Sequence, residues 1–155
     1  MAEANALIVL AMAQASLGGL DTAAESCERA VELARTAGDR TMERLAMQHL
    51  ARHQADAGNW HQALATATQA LAFDDRSDIA DIPHVLLLMV KGEALLGLGD
   101  QAEGIKQLDL AAREAESCGY EDGAVRALGA LLRATPDAEV QARHDAALAR
   151  LTART

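Results

Sequence analysis

The feature that most constrains this chain is a repeat. Gly18, Gly58 and Gly99 follow one another at intervals of 40 and 41 residues. Other small residues keep the same step: Ala23, Ala63 and Gly104, then Ala30, Ala70 and Ala111. Three marks in one register mean one structural unit used several times. Each mark has a physical role. The glycine lies where one helix stops and the next begins, a position that commonly needs positive φ. The residue five further on is small because two antiparallel helices meet there, and a bulky side chain would wedge them apart. The third mark, seven residues later, lies two turns along on the same helical face.

The turns between units repeat as well. Gly38, in ARTAGDRT, and Gly119, in AESCGYED, are 81 residues apart, two periods. The corresponding stretch after the second unit, FDDRSDIADIP, is longer, acidic and without glycine, and Pro83 there opens a helix. Asn59 with Gln62, and Asp100 with Glu103, have capping-box spacing. Thr135 before Pro136 fits an N-cap followed by proline. Composition agrees: the apolar half is mostly Ala and Leu, strong helix formers, and only Pro83 and Pro136 interrupt the chain. These signals predict helices near 3–17, 20–37, 40–57, 60–73, 82–98, 101–117, 121–134 and 137–152. The fold class is all-α: a right-handed α-solenoid of about four antiparallel helix pairs, about eight helices. It forms one domain over 1–155 with repeats at approximately 3–38, 39–78, 79–119 and 120–155.

On these residues the chain resembles tetratricopeptide (TPR) repeats. The pattern L-G-x-x-x-x-A followed by A-[VL] is carried by Gly18–Ala23 with Ala30-Val31, and by Gly58–Ala63 with Ala70-Leu71. Gly99–Gly104 with Ala111-Ala112 is a weaker copy, and Trp60 matches the aromatic often found after the turn glycine. Leu7, Leu10 and Ala11, then Met47, Leu50 and Ala51, then Leu88 and Gly92 fall where the family places a large residue and a close-packing small one. The last unit is degenerate: it keeps Leu128-Gly129 and Ala147-Leu148. The unit departs from the family in length, 40–41 residues against about 34. The longer form is similar to the helical arrays of LuxR-type activators and peptide-responsive bacterial regulators.

The resemblance implies a protein- or peptide-binding scaffold or adaptor, a regulatory module or a piece of a transcriptional regulator, rather than an enzyme. The alternative is a sensing domain that takes a small molecule or signal peptide in the concave groove. In TPR-like arrays the first helix of each pair lines that groove. Here this would place Asn5, Ile8 and Met12, then Gln48, His49 and Arg52, then Met89, Glu93 and Leu96, then Arg126 and Arg133 on the partner-binding face. Arg52, flanked by an amide and an imidazole, suits a peptide carbonyl or carboxylate. The family's carboxylate clamp of Lys, Asn and Arg in successive first helices is absent.

Other chemistries find little footing. The net charge of −9 disfavours direct nucleic-acid binding. The charge is uneven: residues 1–122 carry 20 acidic and 9 basic side chains, residues 123–155 carry 3 and 5, so an acidic body precedes a mildly basic tail. His49 and His53 have the one-turn spacing of a metal pair, but no third ligand or HExxH accompanies them, and no metal or cofactor is expected. No GxSxG, P-loop, GxGxxG or CxxC occurs. Cys27 and Cys118 read as small buried hydrophobes in a reducing cytoplasm. The first residues lack the basic start of a signal peptide, and their apolar run is too short to span a bilayer. Helix 3–17 also lacks the polar outer face of a terminal repeat, so a homodimer or a larger array through the N-terminal helix is expected. The last helix reads as a solvated cap, with Val140, Ala147, Leu148 and Leu151 inward and Arg143, Asp145, Arg150 and Arg154 outward.

Overall fold

A computed structural model describes residues 2–73 and 82–155. Eight helices run through them: α1 (Ala2–Ser16), α2 (Leu20–Thr36), α3 (Arg40–Asp56), α4 (Trp60–Leu71), α5 (Ile82–Gly97), α6 (Gln101–Cys118), α7 (Glu121–Ala134) and α8 (Ala138–Ala153). Among the described residues there is no strand. The order is the all-α sequence of consecutive helix pairs that the repeat predicts. The acidic connection before α5 lies outside the described residues. The chain divides into two compact units, Met1–Asp74 and Asp75–Thr155.

Five turns share one construction. Gly18, Gly38, Gly58, Gly99 and Gly119 all have left-handed backbone, with φ between 69° and 89°. Such angles penalise any side chain with a Cβ. In each turn the amide one residue after the glycine donates back to a carbonyl five residues earlier. Asp39 donates to Ala34 and Asp100 to Leu95, both at 2.9 Å, and Asn59 donates to Gln54 at 2.8 Å. This closes the open carbonyls of the helix end. The next helix then starts at once. The Asp39 carboxylate accepts from the Met42 amide at 2.9 Å, and that of Asp100 accepts from the Glu103 amide at 3.3 Å. Asn59 occupies the N-cap of α4, but its side chain makes no capping bond.

In the first unit α1 packs on α2 and α3, α2 on α3, and α3 on α4. The second helices bury small residues: Ala23, Cys27, Ala30 and Ala34 in α2, and Ala63, Ala67 and Ala70 in α4. Larger side chains come from the first helices, as Ile8, Met47 and Leu50. A polar contact recurs 40 residues apart: Ser26 donates to the Gln14 amide oxygen and Thr66 to that of Gln54, both at 2.8 Å. Each satisfies a half-hidden hydroxyl across a helix pair. At the end of α4, the Arg40 guanidinium lies 4.6 Å over the Phe73 ring.

In the second unit α5 packs on α6 and α7, α6 on α7, and α7 on α8. Gly92 and Gly104, repeat equivalents of Ala51 and Ala63, face each other. A Cβ on Gly92 would come within 2.8 Å of Leu108 Cγ, and one on Gly104 within 2.8 Å of Leu96, with backbone oxygens at 3.1 Å in both cases. The third copy of the small-residue mark is glycine where a Cβ would collide with a leucine and crowd the facing backbone. Leu108, Ala130 and Leu131 form a core here, against which Leu96, Ile105 and Val140 pack.

The last turn differs from the others. Thr135 is the extended C-cap of α7, and its amide donates to Leu131 at 2.8 Å. The N-cap of α8 is Asp137, whose carboxylate accepts from the amides of Glu139 and Val140. The expectation of Thr135 as N-cap is thus corrected: Pro136 favours extended backbone at the residue before it, and the next capping side chain takes the role.

The last helix keeps most of its expected pattern, with Asp145, Arg150 and Arg154 exposed and Val140 packed on the core, but Leu148 does not turn inward. Ala147 is its only buried residue among those described, and Leu148 is 42 % exposed. Ion pairs add to this limited apolar burial. The Arg143 guanidinium reaches Glu116 Oε2 at 2.7 Å and Asp109 Oδ1 at 2.9 Å, and Arg150 reaches the buried Glu121 at 2.9 Å. Burial alone would raise Asp109, but hydrogen bonds from Arg143 and Arg113 overcome it and hold the carboxyl below its ordinary range. Cysteine placement is mixed. Cys27 is buried, its thiol pushed up to about 12 by burial and by Glu28, whereas Cys118 is exposed, contrary to expectation, at the end of α6.

Ala63 has no accessible surface. Ala63→Leu is expected to destabilise the protein by about 1–3 kcal/mol through overpacking, read as a lowered urea midpoint. An unchanged midpoint would mean that the helices do not meet closely at that position.

Candidate functional site

The expected binding residues fall into two groups, one in each unit. In the first unit, Asn5 and Met12 stand exposed on α1, whereas Ile8 is buried in the core. Met12 is 51 % exposed, beside Val9 at 59 % and Leu10 at 47 %. The surface of α1 is therefore apolar, as its sequence implies. On α3, Gln48 is only 8 % exposed, so the open polar cluster expected there is partly closed. His49 and Arg52 are half-buried. Arg52 pairs with Asp56 at 2.6 Å, one turn along the same helix.

His53, on the same helix, is buried, and neither ring nitrogen has a hydrogen-bond partner among the described residues. Its ring lies 6.4 Å from that of His49. Burial, above all, holds His53 below the usual imidazole range; Asp56 pulls the other way and Arg52 adds to the lowering. His49 is lowered by burial first and by His53 second. A buried ring beside a half-buried one belongs to packing. Among the described residues there is no group of three or more His, Cys, Asp and Glu side chains able to hold a metal.

The second unit gathers its candidates more tightly. On α5, Met89, Glu93 and Leu96 recur at helical spacing along one face; on α7, Arg126, Gly129, Ala130 and Arg133 do the same. Two hollows open between these helices. One, of about 310 Å³, is lined by Met89 and Glu93 of α5, by Val125, Arg126, Gly129 and Arg133 of α7, and by His144 of α8. The other, of about 320 Å³, runs on past Leu96, Gln101, Ala130 and Ala134. Glu93 and Arg133 line both hollows. Met89 is 2 % exposed and serves as floor, not as a side chain open to solvent.

The charges around the first hollow are unequal. Arg126 has a loose contact with Asp122, 3.8 Å and largely exposed, of the kind that contributes little. Arg133 is exposed, and no ion pair holds it among the described residues. Seven residues separate the two arginines, about 10 Å along the helix axis, and both line the hollow. Gly129 and His144 join this site although neither was singled out for binding. Gly129 was legible only as part of the retained Leu128-Gly129 pattern; His144 gave no signal, because only the docking of α8 brings it here.

Eight helices among the described residues, packed in antiparallel succession within each unit and reversed at five turns by left-handed glycines, make a TPR-like helical fold. A crystal structure of a TPR-like protein from Chlorobium tepidum matches the chain with a TM-score of 0.67 and 20 % identity, over 97 % of this chain and 93 % of that one. At this identity the likeness speaks for the fold. No model of a known protein family matches the chain, and its sequence matches no curated protein. Among the described residues no helix is long and apolar enough to cross a membrane.

A histidine whose pKa is lower folded than unfolded binds fewer protons in the native state. Its stability is complete above the unfolded value near 6.5 and declines as pH falls through that value towards the folded one. Urea midpoints are accordingly expected to fall between about pH 7.5 and pH 5.5, and His53→Leu to flatten the decline. An equal slope in the variant would remove His53 as its source.

Proposed function

We propose that the chain is a protein- or peptide-binding scaffold without catalytic activity, working in the cytoplasm as an adaptor or as a regulatory module of a larger regulator. The observation that carries this reading is the α5–α7 face, where Arg126 and Arg133 line a hollow floored by Met89 and Gly129. Such a face offers donors and an apolar floor, the two things a docked segment needs. TPR-like folding supports the same reading, because stacked helix pairs create binding surface without creating a deep reaction cleft. Both thiols are free, as a reducing compartment would keep them. The competing reading, a small-molecule sensor, draws on the size of the hollow, near the lower end of ligand pockets. A rise in melting temperature with a metabolite and no macromolecule present would favour it.

Proteins captured from the native cell extract by the immobilised chain, and cross-linked to α5 or α7, are expected to be lost with the double variant Arg126→Gln, Arg133→Gln. Equal capture by the variant would remove this face from the function. A second surface belongs to the same proposal: Val9, Leu10 and Met12 give α1 an apolar exterior suited to a second copy or a neighbouring repeat. Light scattering is expected to show mass rising with concentration, and Val9→Lys with Met12→Lys to abolish the rise. A constant monomer mass would count against assembly through α1.

A further inference from the structure

Glycine inside a helix costs about 1 kcal/mol against alanine, and close packing usually explains its presence. It does so at Gly92 and Gly104, where a Cβ would collide with leucine side chains. Gly129 is different. It sits in the middle of α7 with φ outside the left-handed region. A Cβ there would stand 3.7 Å from Arg133 Nη1 and 3.8 Å from His144 Nε2, ordinary contact distances. Alanine would fit and would favour the helix. What glycine leaves is room, and the room is the floor of the 310 Å³ hollow.

The groups around that floor share a chemistry. Arg126 stands one turn before Gly129 and Arg133 one turn after it, each with N–H groups to donate. His144 brings Nε2 from α8, while its buried Nδ1 has no hydrogen-bond partner among the described residues. Asp145 lies 3.6 Å from that nitrogen, too far for a hydrogen bond. Glu93 on α5 is the one carboxylate of the lining. Three donor side chains around a bare stretch of backbone match a planar anion, and Glu93 opposes a second negative charge.

We infer that the floor over Gly129 binds a single carboxylate, the acidic side chain of a docked peptide segment, between Arg126 and Arg133. The inference rests on the peptide-binding reading and names the group that reading leaves open. Gly129 is the specificity device: the missing methyl lets the carboxylate sink between the two guanidinium groups.

The test is an amide-resolved NMR titration of the full chain with acetyl-Ala-Glu-Ala-amide, acetyl-Ala-Gln-Ala-amide and inorganic phosphate. The glutamate peptide is expected to shift and saturate the amides around Gly129, with affinity at least about tenfold above the glutamine peptide and above phosphate, a difference of about 1.4 kcal/mol. Gly129→Ala is expected to raise the melting temperature and yet weaken the glutamate peptide by about tenfold or more. Arg133→Gln should weaken it similarly with the melting temperature unchanged. Equal shifts from the glutamine peptide would overturn the carboxylate while leaving peptide docking intact. Phosphate binding as tightly would make the site a general anion site and overturn the inference as well. So would full binding by Gly129→Ala, or no shift with any probe. Failure of the scaffold reading shows elsewhere, as equal partner capture by the arginine variants.

Discussion

A single left-handed residue at the end of a helix organises this protein. With φ positive, the amide after the glycine bends back to bond a carbonyl five residues earlier, and the next helix begins within two residues. Gly18, Gly38 and Gly58 come 20 residues apart, as do Gly99 and Gly119. The reversal is therefore the same within a repeat and between repeats. Equal spacing keeps neighbouring helices level, so equivalent residues meet equivalent partners. Gln14 with Ser26 and Gln54 with Thr66 are one contact made twice because of it.

Level helices allow close packing only where side chains are small. Alanine fills the contact face of α2 and α4, and a glycine pair replaces it between α5 and α6. A core of this kind gains less from each residue than a leucine core, since buried apolar area sets the hydrophobic contribution. It gains instead from dense packing and from the helix propensity of alanine. The end of the chain departs from the scheme. α8 follows an extended Thr135–Asp137 link, buries little, and is held by arginines that reach carboxylates on α6 and α7. These pairs are partly exposed and weaken in salt; the forked contact of Arg143 with Glu116 gives the docking its geometry.

Binding surface follows from the same economy. With their inward positions packed against neighbouring helices, the first helices keep outward positions for other uses. On α7 those positions carry Arg126, Gly129 and Arg133; on α1 they carry Val9 and Met12. One face is polar and hollowed, the other apolar and exposed to solvent. They suit different partners, a charged segment in the first case and another helix in the second.

Much of the fold was legible in the residues. Local rules govern the turns, the helix spans and the small contact positions: a glycine that must take positive φ, a period of 3.6, a step of 40 that recurs. Ala23, Ala63 and Gly104 could be assigned to contacts without coordinates because each repeats in register. Placing Met89 and Glu93 of α5 with Arg126 and Arg133 of α7 on one groove followed from the family resemblance, and helical spacing only aligned the residues within each helix. Burial did not: Gln48 and Met89 share that spacing, yet packing covers them. Residues far apart in sequence were decided by tertiary structure. Whether Arg143 meets solvent or Glu116, whether Thr135 or Asp137 caps α8, and whether His144 stands beside Gly129 all depend on where α8 lands. Periodicity specifies which way a side chain leaves its own helix, and only the docking of the next helix specifies what it meets.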